Sequence, residues 1–487
     1  MSIARTYAPP RHAAPVDLDL SGGERSEDAA PLSVLLSGLT PEALRCYPRT
    51  AELAALFAQQ VGVDSDQVFV TAGADEAIDR ICRAELEPGA NAVCTRPCFE
   101  MIPRYVAFAH AELRQVEWHE GPLPASQLLA SVDQATRLLI VVSPNNPTGG
   151  TVTRPDLQTL AGARPELPVL LDLAYGEFAD EDLTGLALSF PNVTVTRTLS
   201  KAWGLAGLRV GFALGSPERI DSLRAAGSPY SVAGPSVAIA KRALERGERS
   251  KEAYVGQVRK ERARLRKLAV SLAWSCEPSQ GNFVLWRGTR ALWLRDCLAG
   301  LGIAVRVFPD EPSLANAVRI TCPGEAAAFR RLEDALLCAL RPDALLLELE
   351  AVCRDGQDDR ELLERLRARM RLGLVTTGSS EEALGMLRAR GIQDCFDALA
   401  CCRDGKLQDG SAALRAALHD LSEPSGRCAR AWYVGQTLEG LAAARKAALV
   451  PLALADSEAR VETSLGFLEH GAARVMTQLE TLQEWLP

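Results

Sequence analysis

Lys201 directly follows Ser200 and stands eight positions before Arg209, in the stretch SKAWGLAGLR that succeeds the strand-like run VTVTRTL. Taken alone, the stretch reads as a loop opening a helix, with a solvated lysine near its start. Its neighbours Trp203, Leu205, Leu208, Val210 and Phe212 are apolar, and an ammonium in such a setting is costly unless it has a task. A desolvated lysine with a depressed pKa is what Schiff-base chemistry on a carbonyl needs. Three further stretches carry groups suited to holding a carbonyl compound. SPNNPTGG (143–150) follows the apolar run LLIVV and is rich in turn residues, so it reads either as a bare turn or as a ligand loop around Asn146. LLDLAYGEF (170–178) ends an apolar strand on Asp172, a carboxylate that burial would penalise without a cationic partner, and presents Tyr175 just beyond. In TAGADEAID (71–79) a strand runs into a helix through Gly73 and Ala74. Small residues there let an anion reach the free amides and the positive end of the helix dipole, although a simple cap is the alternative.

The elements that must position these groups have a regular rhythm. From about residue 68, QVFVTAG, NAVCTRP, RLLIVVSP, PVLLDLAY and NVTVTRT alternate with helical patterns, which predicts an α/β domain with a mostly parallel sheet. The carboxyl ends of such strands are where open sheets bind ligands, and Asn146, Asp172, Tyr175, Lys201 and Arg209 all follow strand ends. Residues 215–270 read as helical and charged, leading to a second lobe. Strands and helices return over 280–340 in NFVLWRG, RALWLRDCLAGLG, IAVRVFP and AVRITCP. RPD at 341–343 marks a break. ALLLELE, LGLVTTGS, ARAWYVGQT and LVPLALAD then predict a second α/β unit with almost no linker.

The 487 residues suggest two or three domains. A net charge of −8 with no basic block argues against nucleic acid as a partner. No apolar run reaches the ~18 residues of a membrane span, and MSIARTYAPPRH carries no signal-like segment, so a cytoplasmic protein is expected. Thirteen cysteines at irregular spacing and only five histidines suit free thiols in a reducing compartment and no metal centre.

The ordered set of motifs resembles the fold-type-I pyridoxal-phosphate aminotransferases of class I and II, and within them the histidinol-phosphate aminotransferase group. It runs from Tyr47 to Leu340 through YP (47–48), GADEAID, SPNNPTG, D-x-A-Y (172–175), RTLSKAWGLAGLRVGF, GNFVLW and VRIT. The resemblance implies an aminotransferase domain over 1–341, its large cofactor-binding part at about 45–270, and pyridoxal 5'-phosphate as cofactor. Lys201 would hold the cofactor and move the substrate's α-proton, and Asp172 would pair with the ring nitrogen. Asn146 and Tyr175 would bond the phenolic oxygen, and Phe99, where the family usually has tyrosine, would stack on the ring. Ala74, Asp75, Ser200 and Arg209 would hold the phosphate. Tyr47 would reach the neighbouring subunit's phosphate site, which implies a homodimer. Arg319 matches the substrate-anion arginine, and Arg306 is a second candidate. The family's Asn-Glu-Asn segment is replaced by SGGERS (21–26), which keeps Glu24 and adds Arg25. The substrate end is therefore altered, with a small-molecule amino donor and a keto acid as the exchange pair.

Residues 342–487 resemble the haloacid dehalogenase superfamily, a Rossmann-like fold, here without a lid. The first-motif aspartates are replaced by Glu348 and Glu350, and the fourth-motif acids by Gln436 and Gly440, while Thr376 and Lys406 remain. A glutamate shifts the attacking oxygen by about 1.5 Å, more than near-attack geometry tolerates, and glutamine plus glycine make a poor magnesium site. Fold retained with catalysis lost is the expectation. Decarboxylation, amino-acid oxidation and a bifunctional aminotransferase/phosphatase are the other enzymatic readings.

Overall fold

The computed structural model describes residues 11–25, 32–37, 39–353, 360–401, 410–422, 429–456 and 461–486. Lys406 and Ser26 lie outside them. The chain divides into two compact units. Unit one holds Ser21–Trp286 and Arg319–Ala326; unit two holds the described residues up to Leu20, Arg287–Val318 and the chain from Ala327 onward.

Unit one is built on a seven-stranded sheet. Its order is Val68–Thr71, Gly211–Leu214, Val193–Thr198, Val169–Asp172, Thr136–Val142, Asn91–Arg96 and Glu112–Glu117. The central strands are rich in Val, Ile and Leu and are buried on both faces, as the interior of a helix-covered parallel sheet requires. Gly211–Leu214 alone is antiparallel, to both Val68–Thr71 and Val193–Thr198. Gly211 is opposite Thr71 and Thr198, so this strand begins at the edge where its neighbours end. That reversal returns Arg209 to the edge from which Ser200 and Lys201 leave.

The stretch after Lys201 therefore differs from the expected helix start. A turn leads to one 3-10 turn at Ala206–Leu208 and then directly into the antiparallel strand. The apolar neighbours of Lys201 also have another purpose. Trp203, Leu205, Val210 and Phe212 belong to the buried core, with Phe212 stacked on Phe57 at 3.6 Å. Hydrophobic burial of these residues anchors the loop that carries Lys201.

Unit two contains a six-stranded, wholly parallel sheet. Its order is Ala398–Cys401, Arg371–Thr376, Ala344–Glu348, Ala431–Gly435, Val450–Leu454 and Arg474–Met476. In chain order this is 3-2-1-4-5-6, the doubly wound arrangement whose strand order reverses between the first and fourth strands. Residues before the 341–343 break share this unit's core. Trp293 packs against Trp432 at 4.8 Å between ring centroids, and Trp432 Nε1 donates to the Cys338 carbonyl at 2.9 Å. Asp296, on the helix Ala291–Gly300, accepts from Arg474 Nε at 2.8 Å.

Candidate active site

The strand ends of unit one bring the motif residues together in four linked groups. At the start of the helix Gly73–Glu85, Arg209 reaches over Gly73: Nη2 donates to Asp75 Oδ2 at 3.0 Å and Nη1 to Ser200 Oγ at 3.3 Å. Arg209 adopts a left-handed φ of 52°, which aims its side chain back over the helix terminus. Two glycines permit this. A Cβ on Gly73, itself at φ +78°, would stand 2.5 Å from Arg209 Nη2. One on Gly211 would stand 2.6 Å from the Ala74 amide nitrogen. A guanidinium, a hydroxyl and first-turn amides without intrahelical acceptors make an anion cradle.

At the next strand end Asp172 is 3% exposed. Thr196 Oγ1 and the Ala174 amide both donate to its Oδ1, at 2.7 and 3.1 Å. Burial pushes its carboxyl up to about 6; the two hydrogen bonds and the Lys201 charge pull it down, and the Asp75 charge raises it. A buried carboxylate with one oxygen engaged by neutral donors and the other clear of them fits a cationic N–H partner.

Lys201 itself is half-buried, and its Nζ donates to the Gly22 carbonyl at 3.0 Å and sits 5.5 Å from the centre of the Tyr175 ring. Tyr175 meets Phe283 edge to face at 5.1 Å. The last group centres on Arg319, whose Nη1 donates to Asn146 Oδ1 at 2.6 Å and whose Nη2 donates to the Ser21 carbonyl. Asn145, the other half of the Asn-Asn pair, is fully buried and braces the loop through Pro97 and Thr148. One asparagine builds the turn and the other faces the site.

The altered SGGER segment lies across this site. Its carbonyls accept in succession from Arg319, Lys201 and Asn282, the last through Gly23 at 3.0 Å. A Cβ on Gly23 would come within 3.2 Å of the Tyr175 hydroxyl and 3.5 Å of Lys201 Nζ. Arg25 turns away, over the Tyr254 ring at 4.5 Å and to Ser250 Oγ at 3.2 Å. Sequence reasoning treated this segment only as a lost motif. Its two glycines were the signal that backbone, rather than side chain, makes the contacts. Asn282 and Thr196 were also missed, since neither residue type is distinctive in a strand or beside one.

Phe99 is partly buried beyond its strand end. Tyr47 is 75% exposed and stacks on Tyr230 at 4.5 Å. Arg306 is placed in unit two, in the short strand Arg306–Val307 with Phe308 beside it.

In unit two, Glu348 ends the first strand at the point where strand order reverses. It is 6% exposed and accepts from the Tyr433 hydroxyl, the Gln436 amide at 2.7 Å and Thr437 Oγ1 at 3.3 Å. Burial raises its carboxyl, partly offset by these bonds. Any Cβ at position 440 would collide with Tyr433 and Glu348. Thr376 is buried and accepts from the Gly378 amide at 3.0 Å, while Glu350 is exposed. Among the described residues no group of three or more His, Cys, Asp or Glu is placed to hold a metal ion. None of the described helices is long and apolar enough to cross a membrane.

A mostly parallel sheet whose strand ends converge on a lysine, a buried aspartate and an anion cradle defines an α/β enzyme of the aminotransferase type. Residues 45–336 match the family model for aminotransferase class I and II, and the chain belongs to that family. It is similar to a histidinol-phosphate aminotransferase of Aeromonas hydrophila, 36% identical over 307 residues, covering 61% of this chain and 83% of the relative. The corresponding protein of Pectobacterium carotovorum is 36% identical over 297 residues, 58% of this chain and 82% of that one. Among solved structures, histidinol-phosphate aminotransferase from Sinorhizobium meliloti, in complex with pyridoxal-5'-phosphate, superposes with a TM-score of 0.62 at 25% identity, covering 67% of this chain and 92% of that one. The chain is a transaminase with an α/β aminotransferase fold.

Proposed function

We propose that this transaminase works with pyridoxal 5'-phosphate on a small amino donor and a keto acid, and that its donor carries an anionic group, as histidinol phosphate does. The observation that carries the reading is the convergence of Lys201, Asp172 and the Arg209–Ser200–Gly73 cradle on one sheet edge. The residues fit the cofactor: an anion cradle for its phosphate stands at the same edge as a buried carboxylate with an oxygen to spare for its ring nitrogen. Bound there, the cofactor supplies an electron sink for the pair left on the substrate's α-carbon.

The chain's own groups do the rest. Ser200, Arg209 and the amides at Ala74 and Asp75 hold the phosphate, and the Asp75 carboxylate holds Arg209. Asp172 keeps the ring nitrogen protonated. Asn146 and Tyr175 orient the phenolic oxygen, and Phe99 covers a ring face. Lys201 attaches the cofactor and carries the proton to and from the α-carbon. Arg319 takes the substrate carboxylate in its bidentate fork, which requires the Ser21 carbonyl and Asn146 Oδ1 to yield. Arg306 is assigned to a second anion contact, and Tyr47 to the phosphate of a partner subunit in a homodimer. Residues 342–487 form a haloacid dehalogenase-like domain in which Glu348, tied to Tyr433 and the Gln436 amide, stands where a nucleophile would have to be free. We assign the protein to the cytoplasm, where the free thiols of its described cysteines would stay reduced.

Assaying keto-acid, carbon dioxide and peroxide release across a panel of amino substrates tests the reading. Keto acid matched by amino-acid formation supports it; carbon dioxide or peroxide in its place overturns it in favour of decarboxylation or oxidation.

A further inference from the structure

We infer that Thr196 is a positioning residue for this reaction: its hydroxyl fixes the Asp172 carboxylate so that Oδ2 is presented to the cofactor's ring nitrogen. The inference rests on the reading of Asp172 given above. Thr196 and Asp172 are direct partners on parallel strands, and the hydroxyl donates to Oδ1 at 2.7 Å. The Ala174 amide donates to the same oxygen at 3.1 Å. Two donors on one oxygen, one from the neighbouring strand and one from the amide two residues on, hold the carboxylate plane against rotation and leave Oδ2 clear of both. Thr196 is fully buried, so its hydroxyl has no water to turn toward, and its branched Cβ restricts χ1.

Two residues on, the same strand face presents Thr198, whose hydroxyl donates to Ser200 Oγ at 2.9 Å. Ser200 in turn accepts from Arg209 at 3.3 Å. One strand face thus supplies a hydroxyl to the ring-nitrogen end of the site and another to the phosphate end. The donor also bears on charge. Burial opposes ionisation of Asp172, the nearby Asp75 charge opposes it further, and Thr196, the Ala174 amide and Lys201 favour it. Removing the hydroxyl leaves a carboxyl held by the Ala174 amide alone, less firmly oriented and harder to ionise.

The experiment is Thr196→Val in the full chain, a change that keeps the branched shape and deletes the donor. The readouts are the pyridoxal-phosphate dissociation constant and the cofactor's visible spectrum between about pH 6 and pH 9, alongside turnover. At neutral pH the cofactor should bind about tenfold more weakly than in wild type, the loss should shrink as pH rises and Asp172 ionises, and Thr196→Ser should restore binding. Thr196→Ala serves as the second variant if valine gives no folded protein. Wild-type affinity in the valine or alanine variant, or a loss that is the same at every pH, overturns the inference. A wild-type chain that takes up no pyridoxal phosphate overturns the reading of the site beneath it.

Discussion

In the proposed reaction, Lys201 and Asp172 divide the chemistry between a cation and a hydrogen-bonded, buried anion. The Lys201 ammonium donates to a backbone carbonyl and lies beside an aromatic ring, contacts it would exchange for a cofactor in the proposed reaction. Lys201→Ala should abolish the protein's visible cofactor absorbance and its trapping by borohydride; trapping at another lysine would contradict the assignment. Asp172→Asn should leave the cofactor bound and lower turnover by roughly a hundredfold or more, because the ring nitrogen loses its charged partner. A pH effect follows in the cofactor-free protein. The folded-state pKa of Asp172 is raised from 3.8 to about 6, so the folded chain binds the extra proton and stability is lost as pH rises through that window. The full effect is ~3 kcal/mol. Thermal midpoints of the cofactor-free wild type should therefore fall between about pH 4 and pH 6 relative to those of Asp172→Asn, and parallel curves would count against this.

In the proposed reading, the Ser21–Arg25 segment is the element on which substrate access turns. Its backbone carbonyls occupy Arg319 and Lys201, the two cations a substrate carboxylate and a cofactor carbonyl would use. Gly23 has φ +68°, which strains any residue with a Cβ, and a Cβ there would press on the Tyr175 hydroxyl at 3.2 Å. Gly23→Ala should lower kcat/KM by about tenfold or more while costing only ~1 kcal/mol of stability, measured by steady-state kinetics and chemical denaturation. Unchanged kinetics would show that the segment does not bear on the site.

At the scale of the whole molecule, the tail is bound into the fold rather than appended to it. Trp293, Cys338 and Asp296, which precede the 341–343 break, pack or hydrogen-bond against Trp432 and Arg474, which follow it. Truncation at Leu340 should expose that surface and yield insoluble or poorly folded protein, read by expression and thermal melting. Trp432→Ala should cost about 3–5 kcal/mol in unit two. Purified full-length protein should release no phosphate from general phosphatase substrates with magnesium. Release that vanishes in Glu348→Gln would make the chain bifunctional.

Strand ends, the order of motifs and the gathering of Lys201, Asp172, Ser200 and Arg209 at one sheet edge were legible in the sequence because each depends on local patterns: apolar runs bounded by turn residues, and polar groups placed just past them. The short strands Glu112–Glu117, Ala398–Cys401 and Arg474–Met476 were not, since they are short or half-polar and owe their state to pairing with distant strands. The setting of Lys201 was misread for a related reason. Apolar neighbours in sequence say that a loop is anchored, but which core each side chain joins is decided by the fold, and here Trp203 and Phe212 join the buried core while the ammonium meets Gly22 and Tyr175. The reversal of Gly211–Leu214, the laying of Gly22 and Gly23 over the lysine, and the meeting of Thr196 with Asp172 join residues up to about two hundred positions apart. Only the packed sheet could decide them, because each is a contact between separate strands or segments whose register no local pattern records.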